Sequence, residues 1–440
     1  MLPLVQLSEE EIRRVVDTVH GGVGNVQDIY PLAPLQEGIL FHHLIGGDGD
    51  PYLQAGQFAF DSRARLDGFL DALQAVVDRH DVLRTAVLWE GLPEPVQVVW
   101  RKAVLPVQEV QLDPEGDDAA AQLYARFDPR RHRTELHKAP LLHVYTAQDP
   151  GTDRWLIMLL LHHLVGDHTT MEVIQQEVQA HLLGEIEQLP RPLPFRNLVA
   201  QARLGISRQE HELFFRQMLG DVDEPTAPFG LLDVQGDGGE IAEARLEVQP
   251  QLARSLRDAA RRLGVSAASL CHLAWAQVLA RLAGRQDVVF GTVLFGRMQG
   301  GEGSDQAMGP FINTLPIRIR IGEDGAEASA RHTHARLAEL LRHEHASLAL
   351  AQRCSAVPAP APLFSALLNY RHTPAPAETS SAWDGIRMLR GEERTNYPLT
   401  FSVDDLGDGF TLIAQVHASI QAMRVCQFMH TALQALATAL

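Results

Sequence analysis

Along this chain the hydrophobic pattern switches between helical spacing and strict alternation, and the switches lay out an α/β order of elements. "SEEEIRRVVDTV" opens on a serine cap and carries apolar residues at helical spacing, which predicts a helix over Ser8 to Val19. "PLAPLQEGILFHHL" is a second candidate helix. Tyr52 to Phe60 alternates as a strand does, Arg65 to His80 is helical, and "LRTAVLWE", "PVQVVW" and "VLPVQEVQL" read as consecutive strands. A helix over Asp117 to Phe127 leads to strands "LLHVYTA" and "DRWLIMLLLHH". Several connections are too short to hold a crossover helix, so much of the pairing is expected to be antiparallel.

A helix ending at Gly184 and the proline cluster of "LLGEIEQLPRPLP" mark the expected boundary, with one lobe over 1–184 and a second over 185–440. The second is predicted to hold helices around Glu210 to Met218, Gln251 to Leu263 and Ala267 to Leu282, and strands "DVVFGTVLF" and "NTLPIRIRI". A long helix from Ala328 to Ala351, strands near Phe364, Leu399 and Leu412, and a terminal helix complete it. "AVPAPAP" and "HTPAPAETSSAW" read as loop excursions within that lobe. At 440 residues the chain exceeds the usual size of one hydrophobic core, in keeping with two.

The densest chemistry lies in "LLLHHLVGDHTT", Leu159 to Thr170. Trp155 to Leu161 is a continuous apolar run of strand length, which fits a central strand covered on both faces. Thr169 and Glu172 have capping-box spacing, and Met171, Ile174, Val178 and Leu182 share one face, so a helix should open directly after His168. The motif thus occupies a strand-to-helix turn, a frequent place for functional groups in α/β proteins. Extended backbone would send His162 and His163 to opposite faces, so at most one of them meets a given substrate atom. An imidazole, with an ordinary pKa near ~6.5, accepts a proton at neutral pH. A zinc site would have to combine His163 with Asp167 and His168 across the turn; two of those adjoin and no distant partner is evident, so no metal is expected. The bland alternative keeps the histidines as satisfied core residues, with Asp167 capping the turn or pairing with an arginine.

Composition narrows the classes further. The net charge is −17 and the basic residues are scattered, so no basic stripe exists to neutralise a phosphate backbone, and nucleic acid is not an expected partner. Cys271, Cys354 and Cys426 lie far apart and read as reduced, buried thiols. The N-terminus turns acidic before any signal-peptide core, and the longest apolar run, "WLIMLLL", is too short to span a bilayer, so a cytoplasmic protein without membrane contact is expected. There is no G-x-S-x-G elbow, no phosphate loop and no G-x-G-x-x-G after a strand, which removes serine hydrolases, nucleotide hydrolases and dinucleotide enzymes as leading readings.

The stretch resembles the HHxxxDG signature of the condensation domains of nonribosomal peptide synthetases, and the likeness extends over nearly the whole chain. "PLAPLQEGILFHH", "RHDVLRTAV", "MGPFINTLPIRI", "HEHASLALAQ" and "PLFSALLNYRH" resemble, in order, the family's other core motifs. His168 stands where most members have glycine. That variant is similar to a subgroup with dual epimerisation and condensation activity, which adds an HHxxxxxGD near its N-terminus. His42, His43, Gly49 and Asp50 match that second pattern, and "FFRQMLGDVDEPTAPFGLLDVQGDG" looks like the same subgroup. Without the subgroup pattern, "HHLIGGDGD" reads as a helix end with imidazoles near its C-terminal dipole.

The resemblance implies a V-shaped pseudo-dimer of two chloramphenicol-acetyltransferase-like α/β (α+β) lobes with a central tunnel. Upstream donor and downstream acceptor carrier domains would deliver thioesters on phosphopantetheine, next to an adenylation domain, and no cofactor would be bound by the domain itself. His163 would face the tunnel as the principal catalytic group, with His162, His168, His42 and His43 as further candidates for proton transfer. Asp167, Arg84 and Asp50 would be structural, Asp167 pairing with Arg84; Asn313, Asn369 and Tyr370 would lie near substrate. The implied reaction is peptide-bond formation, with prior epimerisation of the upstream residue. Condensation alone, a coenzyme-A-dependent acyltransferase of the same fold, a non-catalytic docking module and a metal hydrolase are the alternatives. The start before the first helix and the end in a helix suggest an excised domain.

Overall fold

A computed structural model describes residues 3–46, 49–232, 241–296, 307–372, 381–392 and 397–440. The chain divides into two compact units, the first comprising Met1–Gly205, Arg297–Ile312 and Ala377–Arg394, the second Ile206–Gly296, Asn313–Pro376 and Thr395–Leu440.

The first unit runs α1 (Glu9–Thr18), β1 (Val26–Pro31), α2 (Pro34–Ile45), β2 (Leu53–Phe60), α3 (Arg63–Arg79), β3 (Thr85–Leu88), β4 (Val96–Trp100), β5 (Val107–Glu109), α4 (Ala119–Arg126), β6 (Leu142–Gln148), β7 (Trp155–His162), α5 (His168–Leu183) and α6 (Arg196–Leu204). The second holds α7 (Arg208–Leu219), β8 (Ile241–Glu247), α8 (Pro250–Leu263), α9 (Ala267–Leu282), β9 (Asp287–Leu294), β10 (Asn313–Arg320), α10 (Ala326–Arg342), α11 (Leu348–Arg353) and β11 (Ala366–His372). β12 (Ile386–Glu392) returns to the first unit, and β13 (Leu399–Asp405), β14 (Phe410–His417) and α12 (Ala422–Ala439) finish the second.

In the first unit a five-stranded sheet has the order β12-β2-β7-β6-β5, and a three-stranded sheet the order β1-β4-β3. β7 is central, antiparallel to both neighbours, with Leu53 opposite His162 and Leu142 opposite Leu161. Its odd-numbered leucines enter one core with Tyr30, Ile39 and Val173, and its even-numbered positions a second core with Leu123 and Tyr145. Coverage on both faces is why "WLIMLLL" is continuously apolar. The second unit has one six-stranded sheet, β10-β9-β11-β13-β14-β8, around α9.

The expected boundary at 184/185 needs correction. Phe195, Leu198, Val199, Ala307, Met308 and Phe311 all pack into the first unit's core, and β12 pairs antiparallel with β2 from Ile386↔Phe60 to Glu392↔Ala55. Burial of these apolar side chains, not the prolines, decides where the first unit ends. The long helix expected from Ala328 to Ala351 is two helices, because Asn313 Nδ2 donates to the carbonyls of Glu344 and Ala346, both at 2.7 Å, and diverts the chain between them. The expected "VLPVQEVQL" strand shrinks to a three-residue edge parallel to β6. β1, β8, β12 and α6 carried no expectation. The second proline-alanine excursion and the end of "LLDVQGDG" fall largely outside the described residues.

Candidate active site

β7 ends at His162, and the chain turns through His163 to Gly166 into α5. Gly166 fits the corner closely: a Cβ there would lie 3.0 Å from both Leu161 Cδ2 and Thr170 Cγ2. Asp167 is the N-cap of α5, accepting from Thr170 N at 3.0 Å and, through its other oxygen, from Phe311 N at 3.2 Å. The cap expected from Thr169 and Glu172 is therefore made by Asp167 with Thr170. Asp167 caps α5, and its expected pairing with Arg84 is not formed. Arg84 donates instead to the carbonyls of Val77 and Trp100 and to Gln27 Oε1, closing the α3–β3 corner.

The hydrogen bonds around the histidine pair fix their tautomers. His163 Nδ1 is 2.7 Å from the Gly166 carbonyl, which can only accept, so the proton sits on Nδ1 and Nε2 keeps its lone pair. That Nε2 has no hydrogen-bond partner among the described residues, and the ring is half-buried. His162 is fully buried; its Nδ1 accepts from Leu164 N at 3.1 Å, so its Nε2 carries the proton and donates to Asp50 Oδ2 at 3.0 Å. The expectation of a catalytic His162 is corrected on this ground: both nitrogens are spent on the protein. The backbone adds a further brace, with His163 N on the Tyr52 carbonyl at 2.8 Å and Gln36 Nε2 on the Leu164 carbonyl at 2.7 Å.

Asp50 joins the two histidine motifs. Its Oδ2 also accepts from His43 Nδ1 at 2.6 Å, and its Oδ1 from Tyr52 N at 3.0 Å. His43 is buried, and its Nε2 accepts from Arg133 Nε at 3.3 Å, so it too is a brace and not a catalytic group. Burial alone would raise the Asp50 carboxyl, but the bonds from His162, His43 and Tyr52 N outweigh it and hold the group far below the carboxylate range. Burial, opposed by Asp50, pushes the His162 imidazole down. Gly49 is required beside it, since any Cβ would clash with the Arg130 carbonyl.

His43, Asp50 and His162 are close enough to share a metal ion. The tautomers argue against it: Leu164 N and Arg133 Nε are donors, so both imidazole nitrogens facing Asp50 carry protons and offer no lone pair to a cation. The trio expected from sequence, His163 with Asp167 and His168, is not assembled either, because Asp167 is spent on the cap. His168 stands exposed on the first turn of α5, 3.5 Å from Glu172.

His42 takes a different position. Its ring is edge-on to Tyr52 at 5.9 Å between centroids, and Tyr52 in turn lies 6.5 Å from the His163 ring. His42 is half-buried, and burial pushes its pKa down, which keeps it neutral. In the second unit, Asn313 is buried with its amide on the two carbonyls named above, and the Tyr370 hydroxyl donates to Asp405 Oδ2, which also binds Arg257. Both side chains serve the fold there. Asn369 differs: its Oδ1 is buried with no hydrogen-bond partner among the described residues. Tyr52, Gln36 and Arg133 were missed as site residues. Gln36, a fully buried amide on the first turn of α2, is the one with a local signal, a polar residue between the apolar positions Leu35 and Ile39.

Two mixed α/β units and a strand-end imidazole held in one tautomer fit an acyl-transfer class of protein. The condensation-domain family profile matches residues 26–440, and the chain belongs to that family. It is 52% identical over its full 440 residues to malpibaldin synthetase and to malpinin synthetase of Mortierella alpina, of which it spans 8% and 6%. Its fold is similar to that of the condensation domain from the monacolin K polyketide synthase MokA, with a TM-score of 0.71, 20% identity and coverage of 94% of this chain and 98% of that one.

Proposed function

We propose that the chain joins an upstream peptidyl or aminoacyl thioester to a downstream aminoacyl thioester, both carried on phosphopantetheine arms of carrier domains, and that it first epimerises the upstream residue from L to D. The observation that carries the reading is the locked His163 tautomer, with Nδ1–H on Gly166 and Nε2 available, in a chain of the condensation family. A thioester is already activated, so most of the gain comes from holding amine and carbonyl in attack geometry, worth ~7–11 kcal/mol. The downstream amine attacks the thioester carbon, His163 Nε2 takes the amine proton, and collapse expels the upstream thiolate, which receives that proton; such proton transfer adds ~10²–10⁴ in rate. The two fungal relatives are synthetases of which this chain is a small part, which supports neighbouring carrier and adenylation domains. Among the described residues no single helix is long and apolar enough to cross a membrane.

Epimerisation needs a base for the Cα proton, which the thioester acidifies, and a donor to return it on the other face. His43 and His162 have both nitrogens engaged and His168 pairs with Glu172, which favours His42, across Tyr52 from His163, as the second group. With both carriers loaded, His163→Ala should lose peptide formation, and His42→Ala should keep it with a D-configured donor while losing it with an L donor. Near-normal turnover by His163→Ala refutes the base; a product that retains Cα deuterium and L configuration refutes epimerisation. Equal turnover with free acyl-coenzyme A and no carrier refutes the carrier-borne substrate.

A further inference from the structure

We propose that Arg133 is a positioning residue of this site: from a surface loop it fixes the proton on His43, and through His43 and Asp50 it holds His162 and the turn that aims His163. Its kinetic consequence rests on the proposed function; its effect on the His43 proton does not.

The loop is anchored where it must be. Asp50 N donates to the Pro129 carbonyl at 3.0 Å, and Gly49 packs against the Arg130 carbonyl. From there Arg133 grips the end of α2 with three donors: Nε to His43 Nε2 at 3.3 Å, Nη1 to the Gly46 carbonyl at 3.2 Å, and Nη2 to the His43 carbonyl. A guanidinium has donors only and stays protonated, so His43 Nε2 must present a lone pair and Nδ1 must carry the proton. That proton goes to Asp50, which remains ionised and takes a second bond from His162 Nε2. His162 Nδ1 in turn holds Leu164 N, the amide that follows His163. Four contacts thus run in series from the surface to the peptide beside the base.

Removing Arg133 leaves His43 Nε2 without the donor that fixes its lone pair outward. The groups around it are Asp50 in contact, His162 across Asp50, His42 next on α2, and the Asp128–Arg130 ion pair on the same loop. Nothing then holds the proton on Nδ1, and the ring is free to exchange tautomers. In the other tautomer His43 turns a lone pair toward Asp50, and the carboxylate loses one of its two imidazole donors.

The test uses the whole chain labelled with ¹⁵N-histidine, with His43→Gln to assign the resonance. In the wild type His43 should hold the Nδ1–H tautomer at neutral pH. In Arg133→Met the two tautomers should exchange, and kcat should fall roughly 10- to 100-fold with KM unchanged. Arg133→Lys, which keeps a cationic donor, should restore part of both. A wild-type tautomer in Arg133→Met, or an unchanged kcat, overturns the proposal. Should Arg133→Met not fold, Arg133→Gln, with one donor left, is read in the same way. If the wild type itself turns over no carrier-bound substrate, the spectrum still decides the role of Arg133, while the function falls separately.

Discussion

Asp50→Asn removes one charge and no volume, and the fixed tautomers determine what it costs. The wild-type carboxylate accepts three hydrogen bonds: His43 Nδ1 at 2.6 Å and His162 Nε2 at 3.0 Å on Oδ2, and Tyr52 N at 3.0 Å on Oδ1. An asparagine can turn its oxygen to the imidazoles, leaving NH₂ against Tyr52 N–H, or the reverse, leaving NH₂ against two imidazole N–H groups. Arg133 and Leu164 N prevent either ring from switching its proton to relieve the clash. The cheaper orientation still strands a backbone donor and turns two charge-assisted bonds into neutral ones, about 3 kcal/mol in total. For a unit of this size that is roughly 6–12 °C in Tm. The difference should also depend on pH with a definite sign. The folded Asp50 carboxyl lies below its unfolded value, so its stabilisation is fully present above ~pH 4 and is lost as pH falls toward the folded pKa. Melting of both proteins at neutral pH and below ~pH 4, with peptide formation measured alongside, gives the answer. A variant that melts within ~2 °C of the wild type at neutral pH, or a gap that widens in acid, would refute the network as described.

Two further outcomes are expected in the second unit. His272 is buried, with its nitrogens on the Ala268 carbonyl and Thr292 Oγ1, and burial pushes its pKa down to about 4. The unfolded state therefore binds more protons between ~pH 6.5 and about 4, and the urea midpoint should fall on acidification by up to ~3 kcal/mol in stability; a midpoint unchanged between neutral pH and ~pH 5 counts against this, and His272→Gln should blunt the fall. Asn369→Leu removes a buried acceptor that lacks a donor among the described residues, so Tm should hold or rise, while KM should rise if substrate supplies that donor. A lowered Tm with unchanged KM would show the amide to be structural instead.

What the sequence made legible is what a local pattern can encode. The continuous apolar run of β7 and the opening of α5 beside His168 follow from spacing over a few residues, and both are present. The identity of the cap slipped from Thr169 to Asp167 because Asp, Ser and Thr at adjacent positions satisfy the same pattern, and only the backbone angle at the corner chooses among them. Contacts at long range were not legible. Arg133 lies in a polar loop with no periodicity, 90 residues from its partner, and nothing in its neighbours marks it off from a solvated arginine. β12 was hidden for a related reason: its partner strand β2 lies more than 300 positions earlier, so the residues between them carry no turn signal joining the two. The proline cluster misled because prolines report where a helix cannot continue, and a core can extend well past such a point, as Phe195 and Val199 do.

The two histidine motifs are a single device, and the reason is electrostatic. A buried carboxylate at position 50 is costly without donors, and a buried imidazole N–H at position 162 is costly without an acceptor. Each motif supplies what the other lacks across 112 residues. A chain that kept the strand-end pair while losing the carboxylate would have to find another acceptor for His162 Nε2–H or let the ring change tautomer. The second course surrenders the bond to Leu164 N and loosens the turn that carries His163. Supplying Asp50 alone would not suffice either, since His43 faces the same carboxylate and needs a donor on its far side to keep its proton inward. The arginine, the aspartate and both buried histidines therefore stand or fall together, and exchange of one between related chains should be tolerated only with its partners.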